Sequence, residues 1–271
     1  LYNVVDSFYV SRISESAVTA LGLAFPIQNL LIGCATGIGV GVNSLLSKSL
    51  GENDPQRAAR AAGNGMFMAV IAVVAFMLFG AFGAAPFFAA QSAVEETVRG
   101  GTQYIQICCL LTVGLFTEIL FERLLQASGR TFYSMITQTT GAILNILLDP
   151  VFIFGWFGLP AMGLAGAALA TVLGQWVAAA LAVFFNLKCN HDVRFGIRYT
   201  RPDWSVIRPI LTVGVPSIIM MAIGSVMNFT MNQILQGFNE TATGVFGIYY
   251  KLQSFFFMPV FGLNNAAVSI L

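Results

Sequence analysis

Residues 133–157 read YSMITQTTGAILNILLDPVFIFGWF, a run of predominantly apolar residues with one charged side chain, Asp149. About 20 such residues are enough to cross the hydrocarbon of a bilayer as a helix, so the run predicts a transmembrane span with an acid inside it. A carboxylate at that depth is costly and persists where it faces a bundle interior. Asn145 lies four residues earlier and shares its helical face. Pro150 follows; it lacks a backbone donor and leaves the carbonyl of Ile146 without its helical partner. A carboxylate, an amide oxygen and a released carbonyl suit a hard cation. The same carboxylate serves equally as a proton site, and a kink held by a neighbouring helix is the plain structural reading.

Working outward, the whole chain has this character. Of its 271 residues 57% are hydrophobic and 9% charged, against roughly 25% charged in a soluble domain. So few charges cannot coat such an apolar surface with water-facing groups, and lipid is its natural solvent. A net charge of +1 leaves no basic stripe for phosphates and argues against a nucleic-acid partner. Full spans are expected near 20–46, 63–88, 101–125, 133–157, 164–187, 207–235 and 244–271, after a partial one at 1–11. The loops between them are unequal in charge. Lys48, Arg57, Arg60, Arg130, Lys188, Arg194, Arg198, Arg201 and Arg208 fall on alternate loops, and the other set holds Arg12 and Arg99. That bias places the richer set in the cytoplasm, which predicts a multi-pass protein of the cell membrane with a cytoplasmic N-terminus.

An offset of 225 residues aligns Asn3–Leu46 with Asn228–Leu271, with 8 of 44 positions identical, among them Gln28/Gln253 and Gly37/Gly262. Both copies put a polar loop with Glu, Glu15 or Glu240, before a span with Gln in its first half and Gly in its second. Six spans separate the copies, an even number, so the halves should share one orientation about an axis along the membrane normal. The expected fold is therefore an all-α integral membrane protein of two six-helix bundles related by a pseudo-two-fold. Residues 1–190 would form the N-terminal lobe, its first span incomplete. Residues 191–206 would be the cytoplasmic inter-lobe loop, and 207–271 the first two spans of the second lobe, with about 40% of the protein beyond the chain.

Asp6, Glu118, Glu122 and Lys251 are the other ionisable groups inside spans. Asp6 and Asp149 both fall in the extracellular halves of their spans, where one cation or proton between two acids would relieve their repulsion. Glu118 and Glu122 share a face with Arg123 and Gln126 beside them; a Glu/Arg pair there is expected to tie helices together, with Glu118 deep enough to line a pathway. Lys251 either snorkels or lines a cavity. The glycines Gly33, Gly37, Gly39 and Gly41, and again Gly163, Gly166 and Gly174, read as close helix packing. His191 reads as a loop residue, and the four cysteines form no CxxC pair, so no metal or redox centre is expected.

Several motifs in order, Asp6-Ser-Phe-Tyr-Val10, Gln126-Ala-Ser-Gly129, Gln138-Thr-Thr-Gly-Ala142, Asn145-Ile-Leu-Leu-Asp149-Pro150 and Gly163-Leu-Ala-Gly-Ala-Ala-Leu-Ala-Thr171, resemble those of the multidrug and toxic compound extrusion (MATE) family over essentially the whole chain. The resemblance implies two six-helix bundles around a central cavity. It also implies a monomeric exporter of small organic compounds, often cationic or aromatic, driven by Na+ or H+ entry, with no other cofactor and surrounded by membrane lipid. The family's N-lobe coupling residues fall on Asp6, Asn145, Asp149 and Thr171, a Na+ or proton site. Gln28, Glu118, Lys251 and Gln253 become candidates for the substrate pathway. A seventh-span glutamate used in the norfloxacin-exporter branch has no counterpart in Val213–Gly224. The rival readings are a lipid-linked precursor flippase of the same superfamily, which would need a strongly basic cavity, and a channel or scaffold, which would not need buried carboxylates. An intramembrane enzyme lacks a recognisable catalytic set, so the chain reads as no enzyme.

Overall fold

The structure is a computed structural model. It describes residues 9, 10, 12–90, 94–158, 160–190, 192, 193, 196–236 and the single positions 249, 253, 260 and 263. Among the described residues the chain is all helical. Its helices are α1 (Glu15–Gly51), α2 (Pro55–Leu78), α3 (Ala84–Ala89), α4 (Glu95–Leu110), α5 (Val113–Ala127), α6 (Thr131–Phe154), α7 (Leu164–Cys189) and α8 (Trp204–Gln236). Five stretches are long and apolar enough to cross a bilayer, and α4 with α5 make a sixth when the bent pair is taken as one span. Most of the expected last span and the partial first one lie outside the described residues.

Local chemistry sets the helix ends. Ser14 accepts from the N–H of Ala17 at 3.2 Å and starts α1, while Asp54 accepts from the N–H of Arg57 at 2.9 Å with Pro55 in the first turn of α2. Both are side-chain caps for donors that have no helical partner. A π-turn at Phe79–Gly83 carries α2 into α3, so residues 55–89 form one span. α6 ends at Gly155, whose φ of 73° closes the helix in the left-handed region. The outer surface is apolar, with Val70, Phe82, Leu147 and Met220 exposed, as a lipid-facing belt requires.

One expected span is interrupted. In the span expected near 101–125, α4 and α5 meet at a 47° bend around Leu111 and Thr112. Neither proline nor glycine stands at the break. The cause is tertiary: the indole of Trp176 in α7 donates to the carbonyl of Leu111 at 3.2 Å. Its ring lies against Gly114, where a Cβ would come 2.8 Å from Trp176 Cδ1. The bend makes room for the ring, and the indole takes up a carbonyl the broken helix leaves open.

The expected glycine stripes divide by partner. Gly33, Gly37 and Gly41 face α8: a Cβ at Gly41 would overlap the carbonyl of Ile210, and one at Gly214 would sit 2.7 Å from the carbonyl of Gly37. Gly39 instead faces Ile119 and Arg123 of α5. In α7, Gly166 and Gly174 pack on α6, whereas Gly163 has nothing within 4 Å of its Cβ position and takes φ 56°. Gly163 therefore serves backbone conformation rather than packing.

Candidate functional site

Close approach of α6 and α7 builds the site. A Cβ on Gly174 would sit 2.8 Å from the carbonyl of Gly141 and 3.4 Å from Cβ of Asn145. Small residues let the two backbones come this near, and Asn145 then reaches across to α7. Its amide nitrogen donates to Thr171 Oγ1 at 3.1 Å and, along its own helix, lies 3.4 Å from Asp149 Oδ1. Asp149 is 0% exposed, Asn145 3% and Thr171 8%. Three of the four expected coupling residues are thus brought together by two helices; Asp6, the fourth, lies outside the described residues. The amide oxygen of Asn145 is buried and accepts no hydrogen bond among the described residues. It is a preformed acceptor beside a carboxylate and a hydroxyl, a set of hard oxygens suited to a small cation.

The cluster borders a cavity of about 590 Å³. Polar groups on its wall include Glu118, Glu122, Gln138, Asn145, Thr171 and Gln175, while Asp149 lies one turn along α6 from Asn145. Thr137 donates to Glu122 Oε1 at 2.9 Å and Gln138 to its Oε2 at 2.7 Å. Glu122 therefore ties α5 to α6 through neutral donors, with Arg123 beside it acting electrostatically. Arg123 donates to Gln126 Oε1 at 2.9 Å, and Gln126 in turn to Ser134 at 2.9 Å. Glu118 forms no hydrogen bond or ion pair among the described residues and stands on the cavity wall. Across the cavity, one of its carboxylate oxygens would be 3.8 Å from a Cβ on Gly141.

The remaining candidates are spread out. Gln28 donates to the hydroxyl of the buried Tyr104, tying α1 to α4. Gln253 is helical and half-buried, and Lys251 lies outside the described residues. Gln138, quoted as a motif residue, and Thr137 and Gln175 were not named as site candidates from the sequence. A signal existed for the first: Gln138, Asn145 and Asp149 are seven and four residues apart and so fall on one helical stripe, which continues the polar face beyond the acid.

Several long apolar helices, a polar cluster buried between two of them and a cavity beside it define a multi-pass membrane protein with a polar interior cavity. Known proteins agree. The MatE family model matches residues 1–151, and the chain belongs to that family. It is 24% identical over 272 residues to the multidrug export protein MepA of Staphylococcus saprophyticus, covering 100% of this chain and 59% of that protein. The MepA of Staphylococcus aureus is 23% identical over 276 residues, with 100% and 59% covered. A solved MOP superfamily transporter from Pyrococcus furiosus superposes with a TM-score of 0.90 at 25% identity, over 99% of this chain and 59% of that one. A MATE in complex with MaL6 gives 0.92 at 25% identity, over the same shares of the two chains. The chain thus spans about 59% of the length of the relatives it matches.

Proposed function

We propose that the whole protein exports small organic compounds, cationic and aromatic ones among them, by antiport against Na+ or H+ with alternating access. The observation that carries this reading is the buried Asn145–Asp149–Thr171 cluster at the edge of a cavity of about 590 Å³. The relatives named as multidrug export proteins support it. In this reading Asp149 and Asp6 exchange the coupling cation, Asn145 Oδ1 and Thr171 Oγ1 complete its oxygen shell, and the basic loops face the cytoplasm of a cell membrane. Occupation of the cluster would reset the packing of α6 on α7 and with it the cavity, so that cation entry and solute exit alternate.

Glu118 would supply the counter-charge for a cationic solute, because Glu122 is already held by Thr137 and Gln138. The cavity wall carries two carboxylates and one arginine, Arg123. That balance favours a cation over the pyrophosphate of a lipid-linked precursor, so export is preferred to flipping. The test is efflux of cationic and neutral dyes from proteoliposomes of the full-length protein, with Na+ and H+ gradients imposed separately. Asp149→Asn should abolish gradient-driven efflux of every dye, and Glu118→Gln should weaken cationic dyes selectively. Undiminished coupled efflux by Asp149→Asn would overturn the coupling assignment.

A further inference from the structure

A second recess, of about 510 Å³, opens where the 3-10 turn Ile197–Thr200 and the start of α8 lie over the start of α2. Gln56, Arg60, Tyr199, Arg201, Asp203 and Trp204 line it. A smaller one of about 230 Å³ adjoins it and shares Gln56 and Arg60. The export reading assigns neither any part.

The recess is held in shape by buried contacts. Asn64, 0% exposed, accepts from the N–H of Asp203 at 2.9 Å and donates to the carbonyl of Arg60 at 2.9 Å. Gly63 lets the carbonyl of Tyr199 lie where a Cβ would be. The backbone of Arg60 is thereby fixed against the 199–204 segment that carries Arg201 and Trp204.

Its charges are unbalanced. Both Ser205 donors, the hydroxyl at 2.7 Å and the N–H at 3.0 Å, go to Asp203 Oδ1. These bonds, the hydroxyl's first, hold the Asp203 carboxyl below its ordinary range. The other oxygen faces Arg60 Nη1 at 3.8 Å, beyond hydrogen-bond reach. Arg57 and Arg130 are better satisfied, reaching Glu52 at 3.2 Å and Asp192 at 3.1 Å. Arg201 has no hydrogen bond or ion pair among the described residues. Two guanidinium forks are thus turned to one recess with most of their donors unused, a geometry that matches the paired oxygens of a phosphate. Trp204 is 69% exposed in the first turn of a spanning helix, the depth at which tryptophan sits among headgroups.

We propose that this recess binds a phosphate group, with Arg60 and Arg201 as its forks and Trp204 lying along the glycerol region when the phosphate belongs to an anionic lipid. Basic pockets between spanning helices suit such headgroups. The test titrates the detergent-purified full-length protein with phosphatidylglycerol, phosphatidylcholine and inorganic phosphate separately and counts retained species by native mass spectrometry. Phosphatidylglycerol should be retained far better than phosphatidylcholine. Arg60→Gln with Arg201→Gln should weaken it about twenty-fivefold, from about fivefold per arginine near a membrane surface. Arg99→Gln, on the other set of loops, should leave it unchanged. Arg60→Lys with Arg201→Lys keeps the charge and loses the forks; it should fall between, which separates lost recognition from lost folding. Retention of inorganic phosphate alone would support the site and assign it a soluble source. Equal retention of the two lipids without phosphate binding, or wild-type binding by both double variants, would overturn the proposal.

Discussion

Gly174→Ala probes the α6–α7 contact on which the site depends. The added methyl would sit 2.8 Å from the carbonyl oxygen of Gly141, where a carbon and an oxygen rest comfortably at about 3.3–3.6 Å. The obstacle is backbone, so no rotamer change relieves it and the helices must part by about 0.5 Å. Overpacking of this kind costs about 1–3 kcal/mol. The same displacement stretches the Asn145–Thr171 bond, now 3.1 Å, past useful hydrogen-bond length. Gly22→Ala is the matched control, since nothing lies within 4 Å of its Cβ position in α1. Relief of glycine's helix penalty should leave that variant neutral or more stable by up to about 1 kcal/mol. Thermal unfolding of the full-length protein in detergent reads the first effect, and the midpoint should fall for Gly174→Ala alone. Cation-driven dye efflux reads the second and should fall with it. Equal melting midpoints for the two variants would refute the claim that backbone contact at Gly141 sets the α6–α7 distance.

Two further changes address interactions away from the Asn145–Asp149–Thr171 cluster. Thr137→Val with Gln138→Leu removes both donors to Glu122, which is 3% exposed; stranding a buried acceptor costs about 1–3 kcal/mol or more for a charged group, so the melting midpoint should drop. Adding Glu122→Leu to that pair should recover most of the loss, because no polar group is then left unpaired. Trp176→Phe withdraws the donor from the Leu111 carbonyl at the α4–α5 bend while keeping a ring against Gly114. Faster amide hydrogen exchange confined to residues around 111–116 is the expected result.

The described spans and the polar cluster could be read in advance because both follow from local rules: length and apolarity set a membrane helix, and a spacing of four puts Asn145 beside Asp149. What could not be read depends on contacts between distant segments. The α4–α5 bend is met by an indole 65 residues away, and Gly114 alone does not announce it. The glycine stripes looked alike in sequence, yet Gly174 faces a carbonyl at 2.8 Å and Gly163 faces nothing within 4 Å. Glu122 shows the same limit from the other side. Its neighbour Arg123 made an ion pair the natural expectation and does act on it electrostatically, but its hydrogen bonds come from elsewhere. Thr137 and Gln138 on the facing helix then take the carboxylate. This matters for function, because an acid whose oxygens are both engaged by fixed donors is a poor partner for a passing cation. Glu118, one turn earlier on the same face of α5 and bordering the same cavity without such donors, is the better one. Spacing makes the two glutamates equivalent; the donors opposite them distinguish an acid held by fixed partners from one without them.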